Sequence, residues 1–180
     1  MRLLSQCRWS IALWAFAFGV HAQTATPFAG VVSVPSVDLN RYVGKWYEIG
    51  SFPMFFQRNC TGDTTAEYAA LPDGAISVTN RCRTDDGFIQ ADGKATVVEG
   101  GGNAKLKVSF FWPFRSDYWI IGLDADYRWA VVGNPNRKYL WILSRTRTLP
   151  AEQLEMAKQA AVAQGYDLGE LRLTRQGSGN

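Results

Sequence analysis

Eight short segments with the two-residue alternation of β-strands follow one another between residues 44 and 145, and polar turn chemistry separates them. They lie at 44–51, 63–70, 75–83, 88–98, 104–111, 117–124, 127–133 and 138–145. The connections "LPDG", "TDDG", "GGGN", "DAD" and "GNPN" carry the residues that tight turns need. Sequential strands joined by hairpins form a meander, and an open meander leaves two unpaired edges. Closing it removes both, so the pattern predicts an all-β fold, an eight-stranded antiparallel up-and-down barrel. One C-terminal helix is predicted outside it: Pro150 suits the first turn, Glu152 faces the positive end of the helix dipole, and Gly165 ends the run. Leu154, Ala157 and Ala161 share its apolar face. "SVDLNRYVG" is suited to a single helical turn plugging one end of the barrel, and 170–175 to a last short strand.

Residues 1–22 have the layout of a cleaved secretory signal peptide: Arg2 and Arg8, an apolar run from Ile11 to Val20, then a small-residue site ending at Ala22. The expected organisation is a signal peptide at 1–22, a flexible segment at 23–36, barrel and helix at 37–175, and a disordered tail at 176–180. The destination is the periplasm, with or without association with the outer membrane. Cys7 precedes the apolar run and so cannot be a lipoprotein anchor. After cleavage, 17 of the 19 basic residues face 16 acidic ones, a balance that makes no case for nucleic acid as a partner. Cys60 and Cys82 remain, and in an oxidising compartment a disulfide between them is expected, contributing about 3 kcal/mol. A metal pair would find no further ligands nearby. His21, the single histidine, leaves with the signal peptide and takes with it the usual general base and the commonest metal ligand. We expect no catalytic residue, no metal and no cofactor.

Three motifs carry a resemblance. Gly44-Lys45-Trp46 opens the first strand and continues as Tyr47-Glu48-Ile49. Asp126-Tyr127 occupies the turn before the seventh strand, and "LWILSR" ends at Arg145. In this order and spacing the chain resembles the lipocalin family, most nearly its bacterial, apolipoprotein D-like members, over residues 37–175. The resemblance implies structural roles for Gly44, Trp46, Asp126, Tyr127 and Arg145. It also implies a barrel that holds fatty acids or lysophospholipids for storage or transport in envelope maintenance. The residues themselves agree: Trp46 can fill the closed end, and a guanidinium over its ring contributes about 0.5–2 kcal/mol.

Alternation along the strands places Glu48 inside with Trp46, and Tyr139, Trp141 and Leu143 on the face of Arg145. The family's pattern adds Ala66, Tyr68, Val78, Asn80, Val108 and Phe110, and Trp119 completes the candidate cavity lining. Glu48 is the odd member, since a carboxylate in an apolar barrel must be paired, hydrated or protonated. Connections alternate between the barrel's ends, so the first, third, fifth and seventh lie opposite Trp46. Phe52, Met54, Phe55 and Phe56 therefore meet Trp112 and Phe114 at the open mouth, as an apolar lip for membrane contact. The expected partner is a hydrophobic acyl lipid, together with a transient membrane surface; monomer and homodimer both stay open. Two other functions compete: a filled barrel whose lip binds a protein, and a lipocalin-type isomerase using a thiolate that the disulfide would consume.

Overall fold

The computed structural model describes residues 30–177. The expected signal peptide, residues 23–29 and the end of the tail at 178–180 lie outside the described residues. Nine strands run in chain order: β1 Gly44–Ser51, β2 Gly62–Ala70, β3 Ile76–Thr84, β4 Gly87–Val97, β5 Lys105–Ser109, β6 Ser116–Leu123, β7 Trp129–Gly133, β8 Leu140–Ser144 and β9 Arg172–Leu173. The helices are α1 Leu39–Tyr42 and α2 Ala151–Ala163. From β1 to β8 each strand pairs antiparallel with its sequence neighbour, and β1 also pairs with β8, closing the barrel. β5 and β8 end earlier than their alternation suggests. Phe110 and Phe111 already belong to the connection after β5, and Arg145 leaves β8 to lie over Trp46.

Apolar side chains fall into two clusters. One fills the lower barrel around Trp46, Tyr42, Leu106, Ile120 and Val132. The other joins the outer faces of Ile49, Ile121, Val131, Leu140 and Ile142 to Ala157 and Ala161 of α2. The helix comes very close because its facing residues are small: a Cβ added to Gly122 would stand 2.8 Å from the Cβ of Ala160. Strands covered on both faces have no polar face, and all five residues of β7 are buried.

Two terminal expectations are corrected. Residues 30–36, expected to be flexible, lie against the barrel: Val31 is buried beside α2, and the Val34 amide donates to the Ile120 carbonyl at 2.8 Å. Residues 176 and 177, expected in a disordered tail, are bound between β1 and β2. Those strands pair only from Gly44 to Tyr47; nearer the mouth, Gly50 and Ser51 pair with β9 instead. The chain after β9 satisfies the backbone groups left there. Thr174 N donates to Ile49 O at 2.9 Å, and the Gln176 amide donates to the carbonyls of Glu48 and Thr64 at 2.8 and 2.9 Å. Gly177 N reaches the Asp63 carboxylate at 2.7 Å.

Candidate functional site

The closed end is built on Trp46, which is fully buried. Its indole N–H donates to the Tyr42 carbonyl at 2.8 Å, so α1 supplies the acceptor. The Arg145 guanidinium lies 3.8 Å from the ring centroid and donates to the carbonyls of Lys45, Arg41 and Tyr42. Gly44 has φ +93°, and an added Cβ would stand 3.5 Å from the Arg145 guanidinium. Tyr127, also at positive φ, accepts the Asp38 amide on its hydroxyl and carries the Arg41 guanidinium 4.1 Å above its ring. Asp126 is largely exposed. The carboxylate that organises this turn is Asp124, which the sequence reading missed. It accepts the amides of Asp126 and Arg128 and pairs with the Arg128 guanidinium, which holds its pKa below the usual carboxylate range.

Above this floor the barrel encloses a cavity of about 510 Å³, open at the other end. Its wall contains Glu48, Ala66, Tyr68, Val78, Asn80, Val108, Phe110, Tyr139, Trp141 and Leu143. The barrel is therefore not filled. Trp119 lies on the opposite face and does not line it: Tyr118 and Ile120 turn inward, while Trp119 joins the cluster against α2 with the Lys105 ammonium 4.2 Å from its ring. Asp117, two residues before Trp119 and on the same face, marks that parity; beyond it β6 is apolar on both faces because α2 covers its outside.

Three phenols sit at the cavity's deep end. The Tyr118 hydroxyl is 2.8 Å from those of Tyr42 and Tyr68. Burial raises all three pKa values, that of Tyr68 to about 12, so the phenols stay neutral. Tyr118 was missed as a site residue although Asp117 and Trp119 share the other face of β6.

Glu48 is 5% exposed and fully engaged. Ser51 and Thr174 donate to one carboxylate oxygen and Gln57 to the other, at 3.0 Å in the last case. Burial raises its pKa, and the hydrogen bonds from Thr174, Gln57 and Ser51 oppose the rise. One carboxylate thus ties β1, the loop after it and the C-terminal segment together. The Gln57 Oε1 beside it is buried without a hydrogen-bond partner. A second depression, about 690 Å³, lies between this loop and the C-terminal segment and shares Glu48, Gln57 and Thr64 with the cavity wall.

At the mouth, Phe55, Phe111, Trp112 and Phe114 are between 74% and 84% exposed, and Phe56 is half exposed. Two expected lip residues are elsewhere. Met54 is buried, and Phe52 prolongs the β1–β8 pairing through its amide to Leu140 O, with its ring 6.0 Å from Tyr166 under α2. Phe111, exposed beside Trp112, joins the lip. From Phe55 the rings descend in contact through Phe56 and Tyr139 to Trp141 inside the cavity, with centroids 5.4 to 5.9 Å apart. The Cys60–Cys82 disulfide joins the end of this loop to β3, with Cα atoms 5.6 Å apart. The connection after β3 is less polar than its turn residues suggest, since Phe88 and Ile89 are half exposed beside it.

The profile of the lipocalin-like domain matches residues 37–176. The chain is 40% identical over 152 residues to temperature-induced lipocalin-1 of Arabidopsis thaliana, covering 79% of this chain and 81% of that one. It is 39% identical over 159 residues to the outer membrane lipoprotein Blc of Escherichia coli K12, covering 87% and 89%. Among solved structures, insecticyanin from the tobacco hornworm Manduca sexta superposes with a TM-score of 0.67 at 19% identity, covering 83% of this chain and 86% of that one. That likeness speaks for the barrel alone. With the Gly44-x-Trp46 strand, the Arg145 stack and the outer helix all in place, this chain belongs to the lipocalin family.

Proposed function

We propose that this protein is a carrier that holds an acyl lipid, a fatty acid or a lysophospholipid, in its barrel for storage or transport at the cell envelope. The observation that carries this reading is the cavity of about 510 Å³, mostly apolar and lined towards its mouth by Phe55, Phe56, Phe111 and Phe114. Small-molecule sites commonly occupy about 300–1,000 Å³. Each buried methylene contributes about 0.8 kcal/mol, so an alkyl chain offsets the ordering costs of binding. The exposed lip supports loading by brief contact with a membrane. A periplasmic location is supported by the disulfide, which persists in oxidising compartments, and by a relative whose name places it in an outer membrane. The isomerase reading needs a cavity thiolate, and both cysteines of the described residues are in the disulfide.

Native mass spectrometry of the protein from its own envelope fraction, followed by lipid extraction, tests this. One acyl lipid per barrel is expected. A barrel that arrives empty and takes up no added fatty acid or lysophospholipid would sink the carrier reading.

A further inference from the structure

The three phenols at the cavity floor bring three O–H protons and make two hydrogen bonds. Tyr118 meets Tyr42 on one side and Tyr68 on the other, and their hydroxyls make no other hydrogen bond among the described residues. Whichever way the two bonds run, one proton is left without an acceptor. Buried phenols this far above their ordinary pKa cannot shed it at neutral pH. If Tyr42 donates to Tyr118 and Tyr118 to Tyr68, the spare proton is on Tyr68. If both neighbours donate to Tyr118, it is on Tyr118. If Tyr68 donates to Tyr118 and Tyr118 to Tyr42, it is on Tyr42, so two of the three arrangements present the proton to the cavity. Tyr68 and Tyr118 both line the cavity, whereas Tyr42 does not.

We infer that the cavity floor is a subsite for an uncharged hydrogen-bond acceptor, the carbonyl oxygen of a fatty ester, a long-chain ketone or a protonated fatty acid, which enters ahead of its alkyl chain. This deepens the carrier reading and rests on it. The ligand group is an acceptor because the surplus is a donor, and an acceptor bound at the floor selects the arrangements that leave the proton on Tyr68 or Tyr118. It is uncharged because Arg145, the cation whose field reaches Tyr42, spends its guanidinium on the carbonyls of Lys45, Arg41 and Tyr42 and does not line the cavity. Arg81 also lines the cavity, but its guanidinium lies 4.2 Å over the half-exposed Phe88 ring, so a carboxylate at the floor would lose its hydration with no ion to replace it. The orientation follows from the wall above. Val78, Val108, Leu143 and Trp141 surround the middle of the cavity, and the rings of Phe56 and Phe55 lead out to solvent. An alkyl chain trailing from a carbonyl at the floor lies along apolar surface all the way to the lip.

The test uses two probes: a long-chain methyl ketone labelled with carbon-13 at its carbonyl, and the alkene in which a methylene group replaces the oxygen. Bound to the wild-type protein, the ketone's carbonyl stretch is expected below its position in liquid hydrocarbon. In the double variant Tyr68→Phe with Tyr118→Phe the band returns to the hydrocarbon position. Ketone affinity then falls about tenfold, the worth of one hydrogen bond, while alkene affinity is unchanged. A thermal melt establishes that the variant is folded, and if it is not, the wild-type band decides alone. An unshifted band in the wild type, with both probes bound, overturns the floor subsite and leaves the carrier standing. Equal weakening of both probes in a folded variant overturns it too. Failure of both probes to bind the wild type overturns the carrier reading and the subsite together.

Discussion

Trp46 and Trp112 stand at opposite ends of one barrel. Trp46 is fully buried, with its N–H on a carbonyl and a guanidinium over its ring. Trp112 is 84% exposed, between Phe111 and Phe114, which are nearly as bare. The same residue types therefore do two jobs. At the closed end they are held from every side and fix the shape of the barrel. At the open end they remain in water, where apolar area costs solubility and is useful only for what it touches next. Stability should accordingly reside at one end and exchange of cargo at the other.

The most damaging change should be Trp46→Ala, which removes a core aromatic and leaves Arg145 without its platform. A loss of about 3–5 kcal/mol in urea denaturation is expected; a loss below about 1 kcal/mol would mean that the closed end does not anchor the fold. Next is reduction of Cys60–Cys82, worth about 3 kcal/mol by the same measurement. Its added signature is faster proteolysis within residues 52–61, because the loop loses its tie to β3.

Glu48 sits nearer the mouth but is built like the closed end, so it sharpens the comparison. Glu48→Leu strands the donors of Ser51, Gln57 and Thr174, at a cost of about 1–3 kcal/mol. Glu48→Gln should be far milder. The Gln57 amide can turn over and accept from the new side chain with the Oε1 that now lacks a partner. The two variants also differ in pH dependence. Burial raises the Glu48 pKa, so the folded state holds that proton more tightly than the unfolded chain does. Its contribution therefore favours folding below the unfolded value of about 4.3, and stability falls as pH rises from there through the raised value. Glu48→Gln should abolish that part of the fall in denaturation midpoints, and an unchanged profile would mean that Glu48 is not the group responsible. Smallest in stability is the triple replacement of Phe111, Trp112 and Phe114 by serine, within about 0.5 kcal/mol of wild type. Association with phospholipid vesicles should drop all the same; if it does not, the lip is not the contacting surface.

How much of this was legible depended on whether an anchor residue fixed the parity of each strand. Trp46, set at the closed end, fixed the parity of β1 and carried Glu48 inside with it, and the turn residues around Pro72 and Pro135 located hairpins. In β6, Asp117 sets Trp119 on the outer face and Tyr118 inside, a signal obscured by the apolar run that follows it. Phe52 and Met54 read as lip residues because a proline between them ended the strand pattern. In the fold, Phe52 extends the β1–β8 pairing under α2 and Met54 turns inward. Residues 170–175 read as a last short strand, and β9 lies there; its pairing with β1 and the segment behind it that completes the wall beside Glu48 carried no local signal.

The strand order, the closed antiparallel barrel, the stacked Trp46 and Arg145 and the aromatic mouth were legible in the amino-acid sequence. The barrel and its mouth follow from local alternation, turn chemistry and the need to remove sheet edges, each written over a few consecutive residues, and the stack follows from the motifs that resemble the lipocalin family. Only the tertiary structure decided that the barrel encloses a cavity, that the C-terminal segment fills the gap between β1 and β2, and that three tyrosines from α1, β2 and β6 share two hydrogen bonds. Empty volume and proton counting depend on side chains brought together from positions as far apart as 42 and 118, and no local pattern carries that information.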